Sequence, residues 1–309
     1  MLSRTAENLF WLGRYTERAE CTVRLLEMGR RMTMLPGMED RDEWRPILLA
    51  TGVRSLTPES EPVSETEAVR TLLIDADNPS SIRSCLSHAR NNGRAVRTAL
   101  TQDMWEVLND SWRRLEAMGE ATACRELPEV LEWVETRTAI LRGTAGNGML
   151  RNDGYDFLRL GGYLERAEMM LRLLDVKYFV LLPETEVVGG GRDHHQWRSV
   201  LHANSAVRAY HHVYRGDYSP WKIADFLILY QDFPRSLAFS YARITDHLEK
   251  LARRYGERHS CHNTAAAMLA RLSDLEMGEI FQAGLHEFIL DALEKTDHLA
   301  LDISRAYHF

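Results

Sequence analysis

The chain has 309 residues, 45% hydrophobic and 27% charged, with 45 acidic residues against 38 basic ones and a net charge of −7. That length suits one large domain or two of about 150 residues. The composition excludes a disordered chain and the basic footprint of a nucleic-acid binder. Gly and Pro number only 19 and 9, too few for a turn-rich sandwich or barrel. Cys21, Cys85, Cys124 and Cys261 form no CxxC pair, so neither a disulfide framework nor a zinc finger is expected. The N-terminal segment lacks the apolar core of a signal peptide, and no stretch approaches the roughly 20 apolar residues of a membrane span. A cytoplasmic protein is the expectation.

In chain order, a first helix is expected from near Arg4 to Met34, stopped by Pro36. A second starts near Asp42 and carries Trp44. The stretch Leu56 to Glu67 reads as an exposed connection, and at its end Ser64 and Glu67 have the spacing of a capping box that opens a third helix. A fourth begins at Pro79, since proline is favoured at the first helical position, and continues past Trp105. Another spans about Pro128 to Arg142. The turn-rich run from Gly143 to Gly154 then marks a boundary. The loop from Pro183 to Trp197 carries Gly189-Gly190-Gly191 without the rest of a phosphate-binding loop, so it reads as a flexible insertion. Later helices start at Ser219-Pro220 and Pro234, and a C-terminal run covers Met277 to Ala306. No segment shows strand alternation.

The chain repeats itself. LGRYTERAECTVRLLE from Leu12 matches LGGYLERAEMMLRLLD from Leu160. Collinear anchors follow: Leu35-Pro36 with Leu182-Pro183, Trp44-Arg45 with Trp197-Arg198, and Asp77-Asn78-Pro79 with Asp232-Phe233-Pro234. The expectation is an all-α chain of about ten helices. They should form two tandem, pseudo-symmetric bundles packed as one unit, repeat 1 over 1–148 and repeat 2 over 149–309.

The repeated helix is where chemistry could reside. Leu12, Tyr15, Ala19, Val23 and Leu26 make one apolar stripe and Phe10, Cys21, Leu25 and Met28 a second, so the helix is central and covered on two sides. Arg14 and Arg18 project into the second stripe with Glu17 at its edge. Arg166 and Glu165 repeat this, while Gly162 replaces Arg14. Charges placed there need partners. Two readings stay open: buried ion pairs that lock the bundles, or a polar cleft in which Glu17, Arg18, Glu165 and Arg166 hold a ligand.

A second candidate is the row Arg90, Arg94, Arg97 and Thr101, one face of the helix expected from Pro79, with Asn91 beside it. These arginines could pair with Glu17 and Glu165, grip a phosphate or carboxylate, or form a solvated face. Eleven of the twelve His lie after residue 193, including His194-His195, His211-His212 and His259-x-x-His262, without a metal-binding motif. No metal or cofactor is implied, and no nucleophile elbow or nucleotide fingerprint is present.

The paired Glu17-Arg18 and Glu165-Arg166 motifs resemble those of the bacterial alpha-E family. So do Asn78-Pro79-Ser80-Ser81-Ile82, the run from Ala89 to Arg97, and Trp105-Glu106 with Asn109. Gly93 stands where that pattern suggests Ala, a change that should loosen a helix by about 1 kcal/mol. The resemblance covers essentially the whole chain. It implies partnership, sometimes covalent, with a circularly permuted ATP-grasp protein, and with transglutaminase-like proteins encoded nearby. A helical partner subunit that helps an ATP-driven ligase form or modify amide bonds is then the first functional expectation. An enzyme using Glu17 or Glu165 as acid or base, with Arg90, Arg94 or Arg97 holding an anionic substrate, is the second. A purely structural interaction module is the third. Neither nucleic acid nor membrane is an expected partner.

Overall fold

The computed structural model describes residues 1–33, 44–53, 62–179 and 191–309. These form fifteen α-helices and one 3₁₀ turn, with no strand among the described residues. The all-α expectation holds.

Two long helices make the centre, α1 (Ser3–Thr33) and α8 (Asp153–Phe179). They lie side by side in the same direction. Gly154 near the start of α8 faces Leu9 near the start of α1, Gly13 faces Gly162, and Arg18 reaches Glu165. Glycine sets their separation. A Cβ on Gly13 would sit 2.1 Å from the Leu158 carbonyl oxygen, and one on Gly161 would sit 2.0 Å from that of Phe10. The two contacts are reciprocal, because Gly13 and Phe10 correspond to Gly161 and Leu158 in the repeat. Backbone meets backbone here, which brings charged side chains one turn further along within bonding reach across the pair.

The remaining helices wrap this pair. On α1 lie α4 (Ile82–Ala95) and α7 (Leu127–Gly148); on α8 lie α12 (Leu237–Tyr255) and α15 (Leu285–Ala306). Helices α2 (Trp44–Ala50) and α9 (Gly191–Ala203) cross over, α2 resting mainly on α8 and α9 mainly on α1. Trp44 stacks over Gly29, while at the corresponding place Trp197 faces the ammonium of Lys177 at 5.3 Å. Lys177 is fully buried and donates to Gln196 at 2.9 Å. Outer helices complete the shell: α3 (Glu65–Leu73), α5 (Gln102–Ala117), α6 (Glu120–Arg125), α10 (Val207–Tyr214), α11 (Pro220–Ile228), α13 (Ser260–Asp274) and α14 (Met277–Ala283).

Several boundaries differ from the sequence reading. Ser64 caps α3 as expected, accepting from the Glu67 N–H at 3.2 Å. The proline starts at 79 and 234 are off by one short turn, because Ser81 and Ser236 are the N-caps of α4 and α12. A hydroxyl at the cap satisfies an orphan amide, which proline cannot do. The helix expected to run past Trp105 breaks after Ala95, turns through Arg97–Ala99 and restarts under the Thr101 cap. Gly93 is buried there, and a Cβ on it would lie 2.8 Å from Leu108 Cδ1. It therefore seats α5 against α4 rather than merely loosening a helix. Helix α7 continues through Gly143 and Gly146 to Gly148, so of the turn-rich run only residues 149–152 lie outside a helix before α8 begins. The C-terminal run splits at Gly284, whose φ of 103° suits glycine. The Pro183–Trp197 stretch is helical from Gly191 onward. The stop at Pro36, residues 56–61 of the expected connection and the glycines at 189 and 190 lie outside the described residues.

Candidate functional site

Where α1 and α8 touch, their buried charges gather into two clusters. The first is built on Glu17 and Glu20, 3% and 1% exposed. Arg166 grips Glu17 with two parallel bonds of 2.7 Å, Nε to Oε1 and Nη2 to Oε2, and donates from Nη1 to the Pro234 carbonyl at 3.0 Å. Arg235 bonds Glu20 and reaches Glu17 Oε1 at 3.4 Å. Arg142 pairs with Glu20 and lies 3.8 Å from Glu17. Arg24, one turn along α1, donates to Glu20 at 2.8 Å and to Ser205 Oγ at 2.6 Å. Four guanidiniums thus surround two carboxylates.

The second cluster is built on Glu165 and Glu168. Arg18 grips Glu165 with bonds of 2.5 and 2.9 Å. Arg14 spans both carboxylates, Nε to Glu165 at 2.7 Å and Nη2 to Glu168 Oε1 at 2.6 Å. The pairing crosses the repeat: the arginine of each Glu-Arg motif holds the glutamate of the other.

Electrostatics differ between the carboxylates. Burial would push Glu17 up, but Arg166, with Arg235 and Arg142, holds it well below the usual range. Burial likewise opposes ionisation of Glu165, and Arg14 and Arg18 overcome it. Glu168 goes the other way. Burial pushes it up to about 7; Arg14 opposes this, while Glu165 and Asp297 add to it. A carboxylate held between guanidiniums is a fixed anion, whereas one near 7 exchanges protons close to neutrality. In the first cluster, burial lowers Arg235 and Arg142 to about 10, Glu17 opposing and neighbouring guanidiniums adding to the fall.

Clefts flank the clusters. One of about 430 Å³ is lined by Glu17, Arg142, Arg159, Tyr163 and Arg166 with apolar Leu141 and Leu158. Another, of about 480 Å³, is lined by Arg18, Glu168, Arg172, Ser80 and Thr22.

This doubled Glu-Arg arrangement coincides with a known family description. Residues 1–308 match the model of Alpha-E, "a predicted alpha-helical domain with a conserved ER motif". The chain belongs to the Alpha-E family. Among curated proteins, an uncharacterized protein of Mycobacterium bovis is 26% identical over 273 residues, 80% of this chain and 30% of its own. An uncharacterized protein of Mycobacterium tuberculosis is 25% identical over the same length and coverage. The Alpha-E chain therefore spans about a third of the length of the curated relatives it matches. No solved structure matches it.

In this Alpha-E chain Glu17, Arg18, Glu165 and Arg166 come together, and the other expected residues do not join them. Asn91, Arg94 and Arg97 are exposed. Arg90 donates to Asn109 at 3.1 Å and Arg97 lies over Trp105 at 5.3 Å. The break after Ala95 dissolves the expected arginine face. Of the histidines, His262 caps α13, bonded to the His259 N–H at 2.9 Å and the Leu248 carbonyl at 3.2 Å. Among the described residues no three His, Cys, Asp or Glu side chains stand together as metal ligands. None of the described helices is long and apolar enough to cross a membrane. Sequence reasoning missed Arg24, Arg142 and Arg235 as partners. Arg235 had a signal, since it follows the repeated proline anchor and stands opposite Ser80.

Proposed function

We propose that the chain is an accessory helical subunit of an amide-bond-forming system, docking on a circularly permuted ATP-grasp ligase and helping to shape or present its substrate. The observation that carries this reading is the coverage of the relatives. In the mycobacterial proteins the matching segment is 30% of a much longer chain, so this unit works there beside other sequence.

The electrostatics weigh on the same side. Glu17 and Glu165 are each held ionised by at least two guanidiniums, which makes them poor general acids or bases. That counts against the reading in which one of them performs acid–base catalysis on an anionic substrate held by Arg90, Arg94 or Arg97. A transglutaminase-like protein is a second candidate for the same assembly. The test is co-expression with the ATP-grasp protein of the same genome, followed by size-exclusion chromatography with and without ATP and magnesium. Co-elution at micromolar concentration is expected. Separate elution under both conditions overturns the proposal.

A further inference from the structure

The two clusters offer an internal comparison, because each wall of one cleft has a counterpart in the other. The polar cleft is lined by Arg18, Ser80, Glu165, Glu168 and Arg172. Their counterparts in the repeat, Arg166, Arg235, Glu17, Glu20 and Arg24, make up the first cluster. The register is fixed by Pro79-Ser80-Ser81 against Pro234-Arg235-Ser236, in which each final serine is a helix N-cap.

The decisive difference is at the middle position. Arg235 sends its guanidinium between Glu17 and Glu20. Ser80 in its place is short, and its hydroxyl is turned away to donate to the Thr51 carbonyl at 2.9 Å. The space that a guanidinium fills on one side stays open on the other.

Glu168 registers the vacancy. It is 5% exposed, its Oε1 bonds Arg14, and its Oε2 accepts no hydrogen bond from any described residue. Its counterpart Glu20 bonds Arg24 and Arg235, accepts from Thr138 at 3.3 Å, and pairs with Arg142. Arg172 supplies no ion pair to Glu168, although its counterpart Arg24 does so for Glu20.

We propose that this cleft binds a guanidinium group, carried by a small molecule or by an arginine side chain of a peptide, which sits between Glu165 and Glu168 as Arg235 sits between Glu17 and Glu20. Pairing agrees with this occupant. Four guanidiniums, of Arg24, Arg142, Arg166 and Arg235, bond the two carboxylates of the first cluster, Arg24 being shared with Glu135, whereas only Arg14 and Arg18 bond the two of the second. The planar fork of a guanidinium matches two carboxylates better than an ammonium does.

Binding also moves a proton. Arg14 and Arg18 on α1, Glu165 and Arg172 on α8, Tyr241 on α12 and Asp297 on α15 surround Glu168, whose carboxyl is pushed up to about 7. A cation at its free oxygen favours the ionised form, so Glu168 releases its proton to solvent as the ligand enters. The inference does not depend on the ligase reading.

The test is calorimetry and thermal unfolding of the full chain with agmatine, with a Gly-Arg-Gly peptide, and with inorganic phosphate as the anionic control. Agmatine or the peptide should bind with net proton release near pH 7, visible as a heat that varies with the ionisation enthalpy of the buffer. At tenfold excess over Kd the melting temperature should rise by about 2 °C. Tighter binding of the peptide than of agmatine identifies a peptide arginine as the source, and the reverse a free guanidinium compound. Glu168→Gln should weaken binding at least tenfold and abolish the proton release. Ser80→Arg should fill the cleft from within and abolish binding. Absence of guanidinium binding at millimolar concentration, binding of phosphate instead, or guanidinium binding unchanged in both variants overturns the proposal.

Discussion

Replacing Gly161 by Ala probes the contact on which the whole centre rests. The added Cβ would lie 2.0 Å from the Phe10 carbonyl oxygen, where ordinary contact begins at 3.4 Å. The obstacle is backbone on both sides, so no rotamer change relieves it and α1 must move away from α8. A gap of about 0.5–1 Å forfeits between a quarter and a half of each atomic attraction along the seam. It also stretches the Arg18–Glu165 and Arg166–Glu17 forks. Overpacking of this kind costs about 3 kcal/mol at the upper end of its usual range. Strained ion pairs add about 1 kcal/mol, and the better helix propensity of Ala returns about 1 kcal/mol. A net loss of about 3 kcal/mol is expected, read as a fall in the urea midpoint by far-UV circular dichroism. Gly13→Ala should lose a similar amount, since its Cβ meets the Leu158 carbonyl oxygen at 2.1 Å. Once one Ala has parted the helices, the second fits into the gap. The double variant should therefore lose at least about 1 kcal/mol less than the two single losses added. A single-variant loss below about 1 kcal/mol, or strict additivity, would refute the reasoning.

Four further outcomes follow from the clusters and the residues left outside them. Glu168 has a folded value of about 7 against an ordinary 4.5. Its contribution is thus fully present below the ordinary value and is lost as pH rises through 7; urea unfolding should show up to about 3 kcal/mol of such loss, and Glu168→Gln should flatten that slope. Glu17 and Glu165 lie on the other side, below their ordinary values, and contribute stability that disappears on acidification. Arg166→Ala should cost about 3–5 kcal/mol by leaving buried Glu17 only the longer contacts of Arg235 and Arg142, and Arg18→Ala about 2 kcal/mol, because Arg18 is more exposed and Glu165 keeps the close bond of Arg14; equal melting temperatures for both variants and wild type would refute this. Arg94→Ala and Arg97→Ala should each change stability by less than about 0.5 kcal/mol, as exposed residues outside the clusters.

The doubled Glu-Arg helices were legible because periodicity and repetition act locally. Apolar stripes on two sides of α1 mark a central helix, and charges set into such a stripe must pair. What periodicity cannot supply is the partner across the interface. Glu17 could equally have met Arg14, one turn back on its own helix, and the backbone contact at Gly13 and Gly161 brings it to Arg166 instead. The arginine face failed for a local reason. A 3.6-residue count carried Arg90 through Thr101 as one helix, yet the Thr101 hydroxyl caps a new helix by accepting from the Met104 N–H at 3.2 Å. Threonine at the end of a periodic run is ambiguous between interior and cap. Arg142 was invisible as a partner because it arrives from α7, and Arg235, marked only by its place after the repeated proline, comes from the turn before α12.

Reciprocal contacts, in which residue i meets j and the counterpart of j meets the counterpart of i, are the mark of an isologous dimer interface. Here both surfaces belong to one polypeptide. In a homodimer every substitution appears twice, so the two ends of such an interface remain chemically identical. A single chain escapes that constraint. It can place Arg14 on one side and Gly162 on the other, or Arg235 on one side and Ser80 on the other. One end then carries the load as a saturated anchor, and the other is left free to specialise without loosening the joint.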